Sequence, residues 1–168
     1  MLLYIVRHGI AIDRQDPKSP SDPERYLTPE GMKKTREVAK GISSFIDAPR
    51  LLLSSPYVRA FQTAEIFAEA CGAGKSKIEK SDSLLPGGEP AAFFRELARR
   101  KSVESAMCFG HAPQLDELLA FALGAKRDLT ELKKAGAACV ELTRVYPPAG
   151  RLVWLVTPKV IRNLAKRK

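Results

Sequence analysis

The sequence is short of cysteine, of long apolar runs and of histidine. Its three cysteines, Cys71, Cys108 and Cys139, are widely spaced and form no Cys-x-x-Cys pair. An odd set of this kind excludes a disulfide framework and a zinc ribbon, and it fits a reducing compartment, so a cytoplasmic location is expected. The apolar start, residues 1–6, stops at Arg7 and His8. It is too short for the core of a signal peptide and has no basic leader. No run approaches the roughly 18 residues of a membrane span, so no membrane partner is expected. There is no Gly-x-x-x-x-Gly-Lys-Ser/Thr loop, which argues against a nucleoside triphosphatase, and no His-Glu-x-x-His zinc motif. Two histidines alone do not make a zinc site.

What is present is an ordinary globular composition, 45% hydrophobic and 28% charged over 168 residues. That excludes disordered and collagen-like chains. The length suits one domain spanning residues 1–168, which buries about 70% of its unfolded surface and needs no staples. The net charge is +9. About half of this excess comes from the last ten residues, where Lys159, Arg162, Lys166, Arg167 and Lys168 stand without an acid. No aromatic residue interleaves with them, as a platform for stacking bases would need, so nucleic acid is not expected as a partner. A solvated helix end is the simpler reading of this tail.

Along the chain, buried strands alternate with helices. Residues 2–6 (LLYIV), 51–53 (LLL) and 106–109 (AMCF) are short continuous apolar runs and read as buried strands. Residues 13–27 hold three prolines and many charges and read as a long loop, usually a functional or mobile feature. Thr28-Pro29-Glu30 predicts a helix start, with Thr28 as N-cap and Pro29 at the first helical position. Val38, Ile42, Phe45 and Ile46 would form that helix's apolar stripe. Further helices are expected around Ala60–Ala68 spacing with a stop at Gly72, over residues 91–100 and 113–123, and from about Val160. Residues 76–82 suit a weaker edge strand, and 137–145 and 152–156 two late strands that pair as a hairpin around Pro147-Pro148-Ala149-Gly150. This alternation predicts an α/β fold: a three-layer α/β/α sandwich with a mostly parallel central sheet.

Both histidines occupy matching settings. His8 follows the first strand and Arg7, and His111 follows the third strand and Gly110. Each lies just past the carboxyl end of a buried strand, the edge at which open α/β sheets bind ligands. Arg59 comes shortly after another such strand. Arg7, His8, Arg59 and His111 therefore converge on one rim. Two arginines and two histidines, with no carboxylate cluster, suit an anion better than a metal. Phosphate matches the planar fork of arginine, and histidine can bind charge, exchange protons or attack phosphorus.

These residues carry a resemblance. Arg7-His8-Gly9 after the first strand resembles the signature of the histidine phosphatase superfamily, with its phosphoglycerate mutase-like fold. Leu27-Thr28-Pro29-Glu30-Gly31 resembles the family's Leu-Thr-x-x-Gly helix start. Ser54-Ser55-Pro56 with Arg59, Gln62, Thr63, Ala64 and Glu65 resembles its second block, and Gly110-His111-Ala112-Pro113 its second histidine turn. The compact length looks most like the SixA-type phosphohistidine phosphatases. The resemblance implies that His8 is the nucleophile and passes through a phosphohistidine intermediate. It implies that Arg7, Arg59 and His111 bind the phosphoryl oxygens, and that neither metal nor organic cofactor is needed. His8 should be unprotonated on its attacking nitrogen, with its other ring nitrogen donating to a backbone carbonyl. The partner is then a phosphorylated protein of the histidine-phosphotransfer type, or a small phosphorylated substrate, with inorganic phosphate as product.

Two positions depart from the family pattern. Arg14 stands where mutase-type relatives often carry Asn. No clear counterpart of their glutamic acid follows the edge strand. Glu89 is the candidate acid there, against the alternative of a solvent-facing helix cap. A missing acid disfavours alkoxide leaving groups, which need a proton, and matters less for a phosphoramidate. Three functions follow: a phosphohistidine phosphatase with a shallow, open site, a small-molecule phosphomonoesterase using Glu89 or Asp82, and a phosphate-binding interaction module without catalysis.

Overall fold

The computed structural model describes residues 1–74, 77–127 and 129–165. Its centre is a six-stranded sheet of order β3-β2-β4-β1-β5-β6. The strands are β1 (Leu2–Arg7), β2 (Leu51–Ser54), β3 (Ile78–Lys80), β4 (Ser105–Gly110), β5 (Ala137–Arg144) and β6 (Ala149–Val156). The β3-β2, β2-β4 and β4-β1 pairings are parallel, and β1-β5 and β5-β6 are antiparallel. The sheet is mostly parallel, as expected, and the late strands form a hairpin. Its turn falls before Ala149 rather than across Gly150, so β6 begins three residues earlier than the apolar run at 152 suggests. Only the first residue of the expected edge strand, Ser76, lies outside the described residues.

Period-two alternation sorts the central strands into two cores. Leu3 and Ile5 of β1, Leu53 of β2 and Cys108 of β4 face α3 (Pro90–Ala98) and α4 (Gln114–Ala122), where they meet Phe93, Phe94, Leu115 and Leu118. Tyr4, Val6, Leu52, Met107 and Phe109 face the opposite layer. That layer is α1 (Pro29–Ser43), α2 (Val58–Ala70) and α5 (Pro158–Ala165). It contributes Val38, Ile42, Phe67 and Ile161. The three layers are those the strand–helix alternation predicts. Because β1 and β4 are covered on both faces, their sequences read as continuous apolar runs. All three cysteines are free thiols, and Cys108 and Cys139 fill the two cores.

Local signals set the helix ends. The Thr28 hydroxyl accepts from the Gly31 N–H at 3.0 Å, capping α1. Gly31 has no room for a side chain, since a Cβ there would stand 2.0 Å from the Ile10 carbonyl oxygen. This close approach joins the start of α1 to the segment after β1. α1 ends at Ser43, so Phe45 does not continue its apolar stripe as expected. It is 50% exposed and packs edge-on against Trp154 of β6, ring centroids 5.6 Å apart. Among the described residues no helix is long and apolar enough to cross a membrane. Of the basic tail, Lys159 and Arg162 lie on α5, and Lys166, Arg167 and Lys168 fall outside the described residues.

Candidate active site

The strand order decides what meets at the rim. β2, β4 and β1 are neighbours, so the residues after their carboxyl ends are neighbours too. The parallel ladders run past the strand ends. The His8 N–H donates to the Gly110 carbonyl at 3.0 Å, and the Ser55 N–H to the Phe109 carbonyl at 2.9 Å. His8, His111 and Ser55 are thereby held side by side, and Arg59 follows one turn into α2. Their rings face each other: the His8 and His111 centroids are 5.1 Å apart at 55°. All three charged or titratable groups are buried, His8 to 8%, His111 to 3% and Arg59 to 4% exposure. The structure thus brings together Arg7, His8, Arg59 and His111, as the sequence predicts.

Hydrogen bonds set the protons on the two imidazoles. His8 Nδ1 lies 2.7 Å from the Gly9 carbonyl oxygen. A carbonyl only accepts, so Nδ1 carries the proton and Nε2 keeps its lone pair. Burial, aided by the charges of Arg59, Arg7 and Lys134, lowers the His8 pKa from 6.5 to about 3, against the bond to Gly9. Burial outranks the neighbouring cations as the cause of the neutral state. His111 Nε2 lies 2.9 Å from Ser55 Oγ, which itself accepts from the Tyr57 N–H at 3.3 Å. Among the described residues Nε2 is the one acceptor within reach of the Ser55 hydroxyl proton, so the hydroxyl donates to Nε2, which leaves the His111 proton on Nδ1. Burial, then His8 and Arg59, lower the His111 pKa to about 3 as well. Tyr57 closes the wall, edge-on to His111 at 5.3 Å and with the Arg59 guanidinium 5.0 Å above its ring.

The guanidiniums are each clamped at one end and open at the other. Arg7 Nη1 donates to the Leu132 carbonyl at 2.6 Å. Leu132 is in turn held by Asp116, whose buried carboxylate accepts from the Leu132 N–H and the Thr130 hydroxyl, both at 2.8 Å. Arg59 Nη1 donates to the Asp22 carbonyl at 2.6 Å, and its Nη2 lies 3.3 Å from the Asp22 carboxylate. That carboxylate also pairs with Arg25 at 2.9 Å and Arg14 at 3.0 Å. Burial pushes the Asp22 pKa up, but the bond from Arg25 and the charges of Arg59 and Arg14 prevail and hold it at about 2. The proline- and charge-rich loop is therefore tied to the site through Asp22.

Three buried nitrogens have no partner: Arg7 Nε, Arg59 Nε and His111 Nδ1. Each carries an N–H, and each orphaned buried donor costs about 1–3 kcal/mol. Together they would consume a large part of the ~5–15 kcal/mol that holds a domain folded. Such a cost is explained by a ligand rich in acceptor oxygens that seats among them. Glu89, by contrast, is exposed at the N-cap of α3 and makes no capping bond. Asp82 is exposed in a short 3-10 turn. Neither shares a hydrogen bond or ion pair with the cationic cluster among the described residues. Among the described residues no group of three His, Cys, Asp or Glu side chains stands close enough to hold a metal.

Comparison with known proteins gives the cluster its context. The family model described as histidine phosphatase superfamily (branch 1) matches residues 3–84, which carry Arg7, His8 and Arg59. An uncharacterised protein of Picosynechococcus sp. is 37% identical over 139 residues, covering 81% of this chain and 82% of its own. The chain belongs to the histidine phosphatase superfamily. Its fold is similar to that of the protein histidine phosphatase SixA complexed with tungstate, at a TM-score of 0.85 and 24% identity over 96% of this chain and 99% of the other. A variant phosphoserine phosphatase of Entamoeba histolytica, in complex with phosphoserine, is also similar. There the TM-score is 0.70 and the identity 15%, over 94% of this chain and 98% of the other. Within this histidine phosphatase fold, Ser55, Asp22 and Asp116 are the supporting residues that the sequence did not single out. Ser55 was visible as part of the Ser-Ser-Pro block. Asp22 and Asp116 carried no signal, because their partners are remote in the chain.

Proposed function

We propose that the chain is a phosphatase that removes the phosphoryl group from phosphohistidine on a protein, through a covalent intermediate on His8. The observation that carries this is the state of His8: its Nδ1 proton is committed to Gly9, and Nε2 is left as a nucleophile beside three unpartnered donors. Arg7 Nε, Arg59 Nε and His111 Nδ1 suit the oxygens of a phosphoryl dianion, and their pull grows as charge shifts onto those oxygens. His8 Nε2 forms a bond to phosphorus while the bond from phosphorus to the substrate's imidazole nitrogen breaks. That nitrogen keeps the electron pair and takes a proton from water. The hydroxide left behind then attacks phosphorus, the bond to His8 breaks, and phosphate leaves with His8 again neutral.

The leaving group decides between phosphoramidate and ester. An alkoxide needs a placed acid, and among the described residues neither Glu89 nor Asp82 shares a hydrogen bond or ion pair with the cluster. An imidazole leaves without such help, which supports phosphohistidine. The test is phosphate release in EDTA by the wild type and by His8→Ala. The substrates are a phosphohistidine-bearing histidine-phosphotransfer domain and an aryl phosphate. The reading expects strong preference for the phosphoramidate and loss of all activity in the variant. Preference for the ester would make the chain a small-molecule phosphomonoesterase. Silence on both substrates from a folded protein would make it a phosphate-binding module.

A further inference from the structure

A cationic cavity adjoins the catalytic cluster at Arg7. It is a cleft of about 650 Å³ between the start of α1, the 133–135 turn and the start of α5. Its cations are Arg7, Lys34, Lys133, Lys134, Lys159 and Arg162. Three of them are answered from outside the cleft: Lys34 by Glu30, Lys133 by Glu131 and Arg162 by Glu37. Among the described residues Lys134 and Lys159 have no carboxylate partner, and Arg7 is held only by a carbonyl. The excess is therefore about three positive charges. Ile10, Ala135 and Pro158 add apolar wall between the charges.

We propose that this cleft docks an acidic segment of the phosphoprotein substrate, with Lys134 and Lys159 as the specificity-determining residues. The inference rests on the reading of the substrate as a phosphoprotein. Size favours a chain over a single ion: the cleft would hold several phosphates, and one ion would meet few of its cations at once. The alternation of apolar wall and unpaired charge suits an extended peptide with carboxylates along it, and the chain's +9 charge favours an acidic partner at long range. Arg7 lines this cleft and also belongs to the catalytic cluster, so a segment seated here lies beside the phosphoryl site.

The test measures anisotropy of a fluorescent ten-residue peptide of alternating Glu and Ala, at low salt, on full-length protein with tungstate saturating the catalytic site. The proposal expects binding that survives tungstate and weakens about tenfold in the Lys134→Glu/Lys159→Glu variant. A control of equal charge change on exposed residues elsewhere, Lys40→Glu/Lys101→Glu, should weaken it far less. Displacement of the peptide by tungstate, equal weakening in both variants, or no binding would overturn the proposal. So would tighter binding of a ten-nucleotide single-stranded RNA with the same lysine dependence. The phosphohistidine domain separates the two readings. If the wild type hydrolyses it and the docking variant shows the same KM, docking fails and the phosphatase reading stands. If the wild type leaves it intact while the peptide binds as expected, the phosphohistidine reading fails, and the cleft is an acidic-peptide groove but not a substrate dock.

Discussion

His8 and His111 stand with ring centroids 5.1 Å apart, and each is neutral because it is buried beside two guanidiniums. The chain has no other histidine, so two imidazole signals report the site directly. In the ligand-free protein neither should titrate between about pH 5 and 8, by proton NMR. Tungstate should raise the pKa of His111, because an anion beside Nδ1 favours the imidazolium. A ligand-free midpoint near 6.5 for either ring would contradict the burial argument.

The same shift links stability to acid. The folded pKa of about 3 lies below the ordinary 6.5, so the unfolded chain binds more protons between those values. Stability from the neutral histidines is complete above pH 6.5 and is lost as pH falls toward 3. The urea midpoint should therefore drop between pH 7.5 and 4.5, and drop less in His8→Gln, which removes one of the two titrating groups.

Asp116 never touches the reaction, yet it fixes Leu132, whose carbonyl fixes Arg7. Asp116→Ala leaves the buried Leu132 N–H unsatisfied and frees the half-buried Thr130 hydroxyl, and should cost about 1–3 kcal/mol in urea unfolding. It should also weaken tungstate binding, while Asp116→Asn, which keeps an acceptor, should restore much of both. Normal tungstate affinity in a destabilised Asp116→Ala would show that Arg7 needs no such support.

Asp22 ties the 13–27 loop to Arg59 through its carboxylate and its carbonyl. Asp22→Ala removes only the first, so the fold should persist with a small change in melting temperature. Loss of the clamp should lower kcat/KM about tenfold through misplacement of Arg59. An unchanged kcat/KM would mean that the carbonyl alone positions Arg59.

At Gly31 the closeness of the Ile10 carbonyl makes any side chain a backbone clash. Gly31→Ala should destabilise the protein by about 1–3 kcal/mol in urea unfolding, through forced separation of α1 from the segment after β1. A neutral effect would mean that this contact opens freely.

Much of this was legible because it is local. Thr28 and Pro29 announce α1 within three residues, and LLYIV announces a strand covered on both faces. His8 and His111 follow strands by the same offset, which is enough to put them on one rim once the sheet is parallel. The supports were hidden because they are long-range. Arg59 finds Asp22 across 37 positions, and Arg7 finds Leu132 across 125. Neither has a periodic pattern to betray it. Phe45 misled for a related reason: its spacing fits α1, but the helix ends two residues earlier and Trp154 of a distant strand offers the ring a partner.

In the proposed reaction His8 Nε2 attacks phosphorus. The most direct measurement is rapid acid-free quenching of the reaction with a radiolabelled phosphohistidine domain, followed by mapping of the label on the enzyme. The expected result is an acid-labile phosphoramidate on Nε2 of His8, formed and lost at rates that match turnover and absent from His8→Ala. Phosphate release at the full rate with no label on His8, or label on Nδ1, would contradict it.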